Sequence, residues 1–167
     1  MLGLKWEDVD LEAGTLQVRR TLITAKGGPV LSAPKTKGSR RSVKFTHSAV
    51  EALRSHLQRQ LGEIDRVGSQ WRANSLIFAS EGGDPLDRRY LTNHRFKPLL
   101  KRAGLPPIRF HDLRHTCATL LLGANVNPKI VSEMLGHASI AITLDTYSHV
   151  LPNMQSEAAK ALEDALN

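Results

Sequence analysis

The pattern of apolar and polar positions divides the chain into a short region of strands followed by a longer region of helices. Between residues 10 and 45, apolar side chains alternate with polar ones, as in half-buried strands. Three such runs lie at residues 15–23, 30–33 and 41–45. Lys26-Gly27-Gly28-Pro29 is typical of a turn between the first two runs, and residues 34–39 form a basic hairpin tip between the last two. The region therefore predicts a small three-stranded antiparallel sheet.

From residue 48 onward, apolar residues recur every three or four positions, which predicts amphipathic helices. Ser48 with Glu51 three residues later forms a capping box at the start of the first helix, which we expect to end near residue 64. Its predicted core-facing stripe consists of Val50, Leu53, Leu57 and Leu61. Residues 1–9 have the pattern of the last turns of another helix.

The rest of the chain is predicted to be helical. Residues 91–103 form one segment, which Pro98 should end or kink. Four more helices are predicted at residues 111–122, 128–135, 140–150 and 154–166. Asn127 before a proline is a typical N-cap, and Gly136 suits the left-handed position past a helix end. The predicted fold class is α+β, mainly α-helical with the small sheet.

The helix predicted at residues 111–122 carries titratable groups on one face. Its predicted core-facing stripe consists of Leu113, Cys117, Leu120 and Leu121. His111, Arg114 and His115 then project from a different face. A guanidinium held on a helix is suited to phosphate oxygens, and a neighbouring imidazole can donate a hydrogen bond or move a proton. An isolated His-x-x-Arg is more often a solvated basic face, so the pair needs further support.

Two more residues of the last third could reach the same spot. His137 follows a helix-ending glycine, where it either points into a cleft or caps the backbone as a loop histidine. Tyr147 lies on a predicted apolar stripe and by itself reads as a core tyrosine whose hydroxyl reaches the surface. A phenol, with a pKa of about 10, attacks phosphorus only where neighbours stabilise the developing charge. In combination, the residues predict a tyrosine nucleophile for a phosphodiester.

Composition narrows the partner and the setting. The 23 Lys and Arg against 16 Asp and Glu, with a pI near 9.9, favour an anionic partner, nucleic acid first. The single cysteine excludes an internal disulfide framework and fits the cytoplasm, and no apolar run approaches the ~18 residues of a membrane span. His111 and His115 have the spacing of zinc ligands, but no third ligand is evident, so we expect no metal or other cofactor.

A series of motifs resembles the catalytic domain of tyrosine recombinases, the phage integrase family of site-specific DNA recombinases. They are Leu2-Gly-Leu-Lys-Trp-Glu-Asp-Val-Asp10, the Pro34-Lys-Thr-Lys37 hairpin, His111-Asp-Leu-Arg-His115, Leu135-Gly-His137 and Thr146-Tyr147-Ser-His149. The resemblance covers essentially the whole chain. It implies the catalytic-domain fold of DNA breaking and rejoining enzymes, and a single such domain over residues 1–167.

The resemblance implies how the phosphate is attacked and held. Tyr147 would attack the scissile phosphate, giving a 3′-phosphotyrosyl link and a free 5′-hydroxyl. Arg114 would hold the phosphate, and His137 would donate a hydrogen bond to it. The covalent link conserves the energy of the broken bond, so strands could be exchanged and resealed without ATP.

The resemblance also implies which residues move protons. His111 would assist proton transfer at the site. Lys35, in the hairpin, would act as general acid for the leaving 5′-oxygen, with Lys37 as the alternative because the register of the loop is ambiguous.

One expected feature of the family falls outside the sequence. The family carries another arginine, in an Arg-x-x-Glu type motif on the helix that leads into Leu-Gly-Leu-Lys-Trp, and this position lies upstream of Met1. The family's N-terminal core-binding domain lies upstream as well. Loss of a preorganised donor costs on the order of 100- to 1,000-fold in rate. We therefore expect this chain alone to be weakly active or inactive, as a truncated or incomplete gene product.

Basic residues beside these motifs are candidate contacts to the backbone of double-stranded DNA. They are Arg40, Arg41, Arg88, Arg89, Arg95 and Lys97. The last helix either packs on its own core or docks on a neighbouring protomer, as in the tetramers that full-length family members form on DNA.

Two function classes are open from the sequence. The first is an enzyme of DNA recombination or integration, such as mobile genetic elements carry. The second is a catalytically inactive DNA-binding remnant of an integrase, while a basic helical protein with coincident motifs would need several independent coincidences.

Overall fold

The computed structural model of the chain describes residues 2–25, 28–33, 40–148 and 154–166. The chain divides into two compact units, Met1–Phe110 and His111–Asn167, which we call the N-terminal unit and the C-terminal unit. The helices within the described ranges include none with the length and apolar character needed to cross a membrane.

Short strands build the first part of the N-terminal unit. They are β1 (Val9–Asp10), β2 (Thr15–Val18), β3 (Thr21–Ala25), β4 (Gly28–Ser32) and β5 (Arg41–Lys44). Strands β1, β2 and β5 form a three-stranded antiparallel sheet with β2 in the centre, where Leu16 lies opposite Val43. Strands β3 and β4 form a separate hairpin, in which Thr21 pairs with Ser32. A three-stranded sheet is present as predicted, but the run at residues 30–33 pairs with β3 instead of joining it.

The first predicted strand, residues 15–23, is interrupted. Strand β2 ends at Val18 and β3 begins at Thr21, so the two strands belong to different sheets. Between them, the Arg20 guanidinium forms ion pairs with Glu7 at 2.7 Å and with Asp8 at 3.2 Å. The Asp8 side chain is fully buried, so its negative charge requires a partner, and Arg20 supplies one at the break.

The prediction of helical turns at residues 1–9 was wrong. The segment forms a single 3-10 turn at Trp6–Asp8 and then enters β1. The Asp8 carboxylate accepts a hydrogen bond from the Lys5 backbone N–H at 2.9 Å, which closes the turn locally. Leu4, at the start of this segment, lies in the core of the unit together with Leu16 and Ile77.

Helix α1 (His47–Val67) packs on this region with a buried polar residue. Its N-cap is Thr46, whose hydroxyl accepts from the Ala49 backbone N–H, so the predicted capping box at Ser48 was wrong. Thr46 comes first along the chain and has the extended backbone of an N-cap. Leu61, on the predicted stripe, is exposed, whereas Gln60 is buried. Gln60 tolerates burial because its amide accepts a hydrogen bond from Trp6 Nε1 and donates one to the Leu76 carbonyl.

The segment around Pro98 changes its helical type. After one turn of helix, α2 (Arg88–Tyr90), the backbone follows a π-helix over Leu91–Phe96 and then α3 (Lys97–Arg102). Pro98 lies in the first turn of α3. Proline has no N–H to donate, so it is tolerated in a first turn. Helical backbone runs through Pro98, and in place of the predicted end or kink the helix changes from π to α between Phe96 and Lys97.

The C-terminal unit contains four described helices. They are α4 (Asp112–Gly123), α5 (Pro128–Leu135), α6 (Ile140–Tyr147) and α7 (Met154–Leu166). Asn127 caps α5 by accepting a hydrogen bond from the Lys129 backbone N–H at 2.8 Å. Gly136 ends α5 with a φ of 72°, in the left-handed region that favours glycine. Both predicted end signals of α5 are confirmed.

The predicted core-facing stripe of α4 was wrong. Leu113 and Leu120 are 44% and 68% exposed, and Cys117 is exposed. The fourth member, Leu121, is only partly buried. The buried residues of the helix are Ala118 and Leu122, which cluster with residues of α5 and α6. The helix therefore packs inside the unit through the face that carries Arg114 and His115, and not through the predicted stripe.

A similar correction applies to α6. Of the predicted stripe of Ile140, Leu144, Tyr147 and Leu151, the first two are 38% exposed and the last lies outside the described residues. The buried face consists of Thr143 and Tyr147, one helical turn apart. Helix α7 has the predicted bounds; Leu162 and Leu166 on it are exposed, and the side chains of Ala158 and Ala161 lie outside the described part.

Candidate active site

Helices α4 and α6 and the turn before α6 bring most of the predicted site residues together within the C-terminal unit. Helix α4 carries Arg114, with His111 at its N-cap position. His137 follows the glycine that ends α5, and Tyr147 is the last residue of α6. Packing of α5 against both α4 and α6 through a shared apolar cluster holds these elements in place.

Tyr147 is both a core residue and the member of the site with a specific polar contact. Its side chain is 2% exposed and packs with Ala118, Leu122, Val131 and Leu135. Its Oη lies 2.8 Å from Nδ1 of His115. The small Ala118 leaves room for the phenol ring in this cluster. The expectation of a core tyrosine and the expectation of a polar site therefore meet in the same residue.

Burial governs the protonation of this hydroxyl. Burial raises the pKa of Tyr147 above its usual value, and the nearby Arg114 guanidinium partly opposes the shift. The phenol is therefore neutral at physiological pH. A substrate that brings the tyrosine into reaction has to provide for removal of this proton.

Arg114 is held close to the hydroxyl in a partly buried position. Burial lowers the pKa of Arg114 from its usual value, and the electrostatic interaction with Tyr147 opposes the shift. The guanidinium still carries its charge at neutral pH, because the usual pKa of an arginine lies far above neutral. A partly desolvated cation attracts a phosphate more strongly than a hydrated one does. The position of Arg114 suits an anion next to Tyr147.

His137 is fixed by a side chain of α6 and not only by backbone. Its Nδ1 lies 2.8 Å from Oγ1 of Thr143, which is fully buried. Its backbone N–H donates to the Ser132 carbonyl at 3.0 Å, as part of the turn that ends α5. The hydrogen bond to Thr143 fixes the orientation of the imidazole ring beside α6.

His111 joins the site through another histidine. Its ring meets the ring of His115 edge to face, with centroids 5.3 Å apart. The ring of His115 in turn lies 5.9 Å from that of Tyr147. His111 is exposed at the start of α4 and does not contact Tyr147 through any recorded hydrogen bond in the described residues.

The site prediction omitted His115 and Thr143. The sequence pattern places His115 on the same face of the helix as His111 and Arg114. That shared face was a signal that could have added His115 to the predicted site. Thr143 lies four residues before Tyr147, so the helical period placed it on the same face of α6. Both residues are hydrogen-bonded through side chains to predicted members of the site.

The remaining predicted residues belong to the N-terminal unit or lie outside the description. Lys35 and Lys37 lie outside the described residues. Arg40 and Arg41 line a cleft of about 510 Å³ together with Arg19. A second cleft, of about 670 Å³, is lined by Arg88, Arg89 and residues of the β3–β4 hairpin. Arg95 pairs with Glu81 at 3.7 Å, and Lys97 is exposed.

The described residues contain no group of three His, Cys, Asp or Glu side chains that could hold a metal ion. The two histidines with zinc-ligand spacing, His111 and His115, instead face each other edge to face.

Comparison with known proteins identifies relatives over almost the whole chain. The model of the phage integrase family matches residues 1–154. A tyrosine recombinase XerC-like protein of Caldanaerobacter subterraneus subsp. tengcongensis is 38% identical over 98% of this chain and 45% of its own length. The ICEBs1 integrase of Bacillus subtilis is 31% identical over 99% of this chain and 45% of its own length. The chain therefore spans less than half the length of these relatives.

Solved structures have the same fold. The Tn1549 transposon integrase, in complex with circular intermediate DNA, superposes with a TM-score of 0.76 at 23% identity, over 96% of this chain and 54% of the integrase chain. The XerA recombinase superposes with a TM-score of 0.68 at 27% identity, over 94% of this chain and 51% of its own.

Proposed function

The chain belongs to the phage integrase family, the tyrosine recombinases, and from that premise we propose that it cleaves and rejoins DNA strands in site-specific recombination or integration. The single observation that carries the proposal is the pairing of a buried tyrosine hydroxyl with a histidine, beside a partly buried arginine. These groups match what a phenol needs in order to attack a phosphodiester. The setting that we propose is the cytoplasm.

We assign the chemical roles as follows. Tyr147 Oη attacks the scissile phosphorus, forming a 3′-phosphotyrosyl link and releasing the 5′-oxygen. Arg114 holds the non-bridging oxygens, and its low hydration strengthens this contact as charge builds up in the transition state. His137, oriented by Thr143, donates a further hydrogen bond to the phosphate. The roles of Arg114 and His137 are electrostatic, so neither needs a cofactor.

Two residues remain assigned to proton movement on the resemblance. We propose that Lys35, or Lys37 in its place, gives a proton to the leaving 5′-oxygen. His111 lies at the open end of the histidine pair and assists proton transfer there. Reversal of the same steps rejoins a strand, because the phosphotyrosyl link is attacked by a 5′-hydroxyl.

The proposed substrate is double-stranded DNA, bound through its phosphates. The net charge of +7 favours this partner, and three arginines line one cleft of the N-terminal unit: Arg19, Arg40 and Arg41. Arg88 and Arg89 line the other cleft, and Arg95 and Lys97 are further candidates. Binding through several phosphate contacts predicts affinity that falls steeply with salt concentration.

We further propose that the complete recombinase self-associates on DNA as a tetramer and that α7 takes part. Leu162 and Leu166 of α7 are 62% and 78% exposed. Apolar side chains at this spacing on an exposed terminal helix are suited to docking on a second protomer. The chain is proposed to be the catalytic domain of that longer protein.

Trapping of a covalent intermediate tests the enzymatic proposal. The chain, and a version extended upstream to supply the family's other arginine, are incubated with nicked suicide duplexes that lose a short fragment on cleavage. We expect a protein–DNA adduct that Tyr147→Phe abolishes and that forms faster in the extended version. Salt-sensitive binding without an adduct in either version would sink the enzymatic proposal and favour the inactive DNA-binding remnant. Tyr90→Phe, the change at the other of the two tyrosines, is the matched control and leaves the adduct intact.

A further inference from the structure

His115 lies against the reacting atom of the proposed nucleophile. Its Nδ1 is 2.8 Å from Tyr147 Oη, a distance typical of a hydrogen bond in which a hydroxyl takes part. The contact is between side chains thirty-two positions apart in sequence, so it depends on the packing of α4 against α6. The hydrogen-bond partner of this oxygen is therefore a residue outside the site predicted from the sequence.

We propose that His115 is a further catalytic residue, the acceptor that takes the Tyr147 proton as the hydroxyl attacks phosphorus. The inference rests on the proposed function of the site. In this step the Oη–H bond breaks as the Oη–P bond forms, and the proton moves to Nδ1 of His115. The P–O5′ bond breaks at the same phosphorus, and the departing O5′ receives its proton from another group, assigned above to the hairpin lysine. Charge and atoms balance, and no co-reactant is required.

The surroundings of Tyr147 make such an acceptor necessary. The phenol is neutral at physiological pH because burial stabilises its protonated form. A neutral phenol attacks slowly, so removal of the proton during attack accelerates the step. Nδ1 accepts the proton only when the imidazole is neutral at that nitrogen.

Several charged and titratable groups surround the pair. On α4 these are His111, whose ring contacts His115, and Arg114 and Cys117, both of which interact electrostatically with Tyr147. On the other side lies His137, bound to Thr143 one turn before the tyrosine. The positive charge of Arg114 opposes the effect of burial on the pKa of Tyr147 and so favours loss of the phenol proton to the acceptor 2.8 Å away.

A second tyrosine–histidine pair provides the matched control. Tyr90 and His94 stack with ring centroids 4.8 Å apart, and Tyr90 is 46% exposed. Tyr90 and His94 contact each other by ring stacking, whereas His115 and Tyr147 are joined by a hydrogen bond. Since the chain has two tyrosines, each gives its own signal when the ring Cζ is labelled with ¹³C.

The first arm of the test is measured without DNA. In the ¹³C spectrum of the 167-residue chain, His115→Phe is expected to move the Tyr147 Cζ signal and its pH titration while leaving Tyr90 in place. His94→Phe is expected to do the reverse. A Tyr147 signal that is unchanged by His115→Phe, in a protein with a native circular dichroism spectrum, would overturn the inference.

The second arm separates proton transfer from positioning through the rate of adduct formation on the suicide duplex. His115→Asn places an amide near the Nδ1 position and can hold the hydroxyl, but it takes up no proton. If His115 is the acceptor, His115→Asn and His115→Phe both lose on the order of 100-fold or more in rate. In both variants the rate should rise by about tenfold per pH unit, because the tyrosinate must form unaided, whereas the wild-type rate should depend less steeply on pH.

The outcomes distinguish the inference from the proposed function. Near-wild-type rates in His115→Asn, with loss only in His115→Phe, would mean that His115 positions the hydroxyl without taking its proton, and would overturn the inference while the recombinase proposal stands. An adduct that fails to form even in the extended wild-type protein would overturn both, and the first arm would then report a hydrogen bond of purely structural value.

Discussion

Each unit of the molecule contains a histidine beside an aromatic ring and a buried polar residue, yet the hydrogen bonds end in different places. In the N-terminal unit, Gln60 accepts from Trp6 Nε1 at 2.6 Å and donates to the carbonyls of Leu76 and Ile77. His56 Nε2 also bonds the Ile77 carbonyl, at 2.6 Å. These bonds connect α1 to backbone, and they satisfy groups that burial would otherwise leave unpaired.

In the C-terminal unit the histidines bond hydroxyl side chains of one helix. His115 pairs with Tyr147 and His137 pairs with Thr143, at 2.8 Å in each case. A backbone carbonyl cannot react, whereas a tyrosine hydroxyl can serve as a nucleophile. The partner of a histidine side chain, more than the burial of the histidine, therefore distinguishes a structural hydrogen bond from one suited to chemistry. Substitutions around Gln60 should therefore lower stability with little effect on the rate of strand cleavage. Substitutions around Tyr147 should lower that rate with little effect on stability.

The largest effect is expected at Arg114. Arg114→Met keeps much of the side-chain length but removes the charge that would hold the phosphate, so we expect adduct formation to fall by about 100- to 1,000-fold. Burial lowers the pKa of Arg114, which means that the folded state disfavours its charge at neutral pH. The melting temperature should therefore stay the same or rise. A melting temperature that falls by several degrees with an unchanged rate of adduct formation would mean that Arg114 stabilises the fold and does not hold the phosphate.

The reverse pattern is expected at Gln60. Gln60→Leu leaves the Trp6 N–H and the Leu76 carbonyl without their partner, which should lower the free energy of unfolding by about 1–3 kcal/mol. The rate of adduct formation, measured well below the melting temperature, should not change. Chemical denaturation measures the first effect, and Gln58→Leu, on an exposed position of the same helix, is the matched control. A reduced rate of adduct formation in fully folded Gln60→Leu would contradict the purely structural role of Gln60.

The smallest effect is expected at Thr143. Thr143→Val keeps the shape of a buried side chain and removes the hydroxyl that orients His137. One positioning hydrogen bond is worth about 1 kcal/mol, so the adduct rate should fall by roughly fivefold. Thr143→Ser, which keeps a hydroxyl, should retain most of the rate, and Thr146→Val on the exposed face of α6 should retain all of it. Equal losses in the valine and serine variants at position 143 would mean that packing, not orientation, is responsible.

The sequence predicted those parts of the fold that depend on local signals. The ends of α5 were predicted correctly because Asn127 and Gly136 act on their own backbone neighbours. The end or kink predicted at Pro98 is absent, because the proline lies in the first turn of α3, where its missing N–H is tolerated. The alternation of apolar and polar residues predicts one strand over residues 15–23, because it does not report the ion pairs of Arg20 that lie at the break.

The buried face of α4 could not be read from periodicity. Leu113 and Leu120 have the spacing of a core stripe, but the helix turns Ala118 and Leu122 inward. This choice depends on a close approach to Tyr147 and on the hydrogen bond between His115 and Tyr147, and both are tertiary contacts. The motifs predict Arg114, His137 and Tyr147 as site residues, whereas the side chains that hydrogen-bond Tyr147 and His137 were not predicted.

Mapping of the covalent attachment point tests the central claim most directly. The adduct from the suicide duplex is digested with nuclease and protease, and the modified peptide is sequenced by mass spectrometry. The account predicts a nucleotide remnant linked through its 3′-phosphate to the hydroxyl of Tyr147. A remnant on Tyr90, or on any residue other than Tyr147, would contradict the assignment of the α4–α6 cluster as the site of strand cleavage.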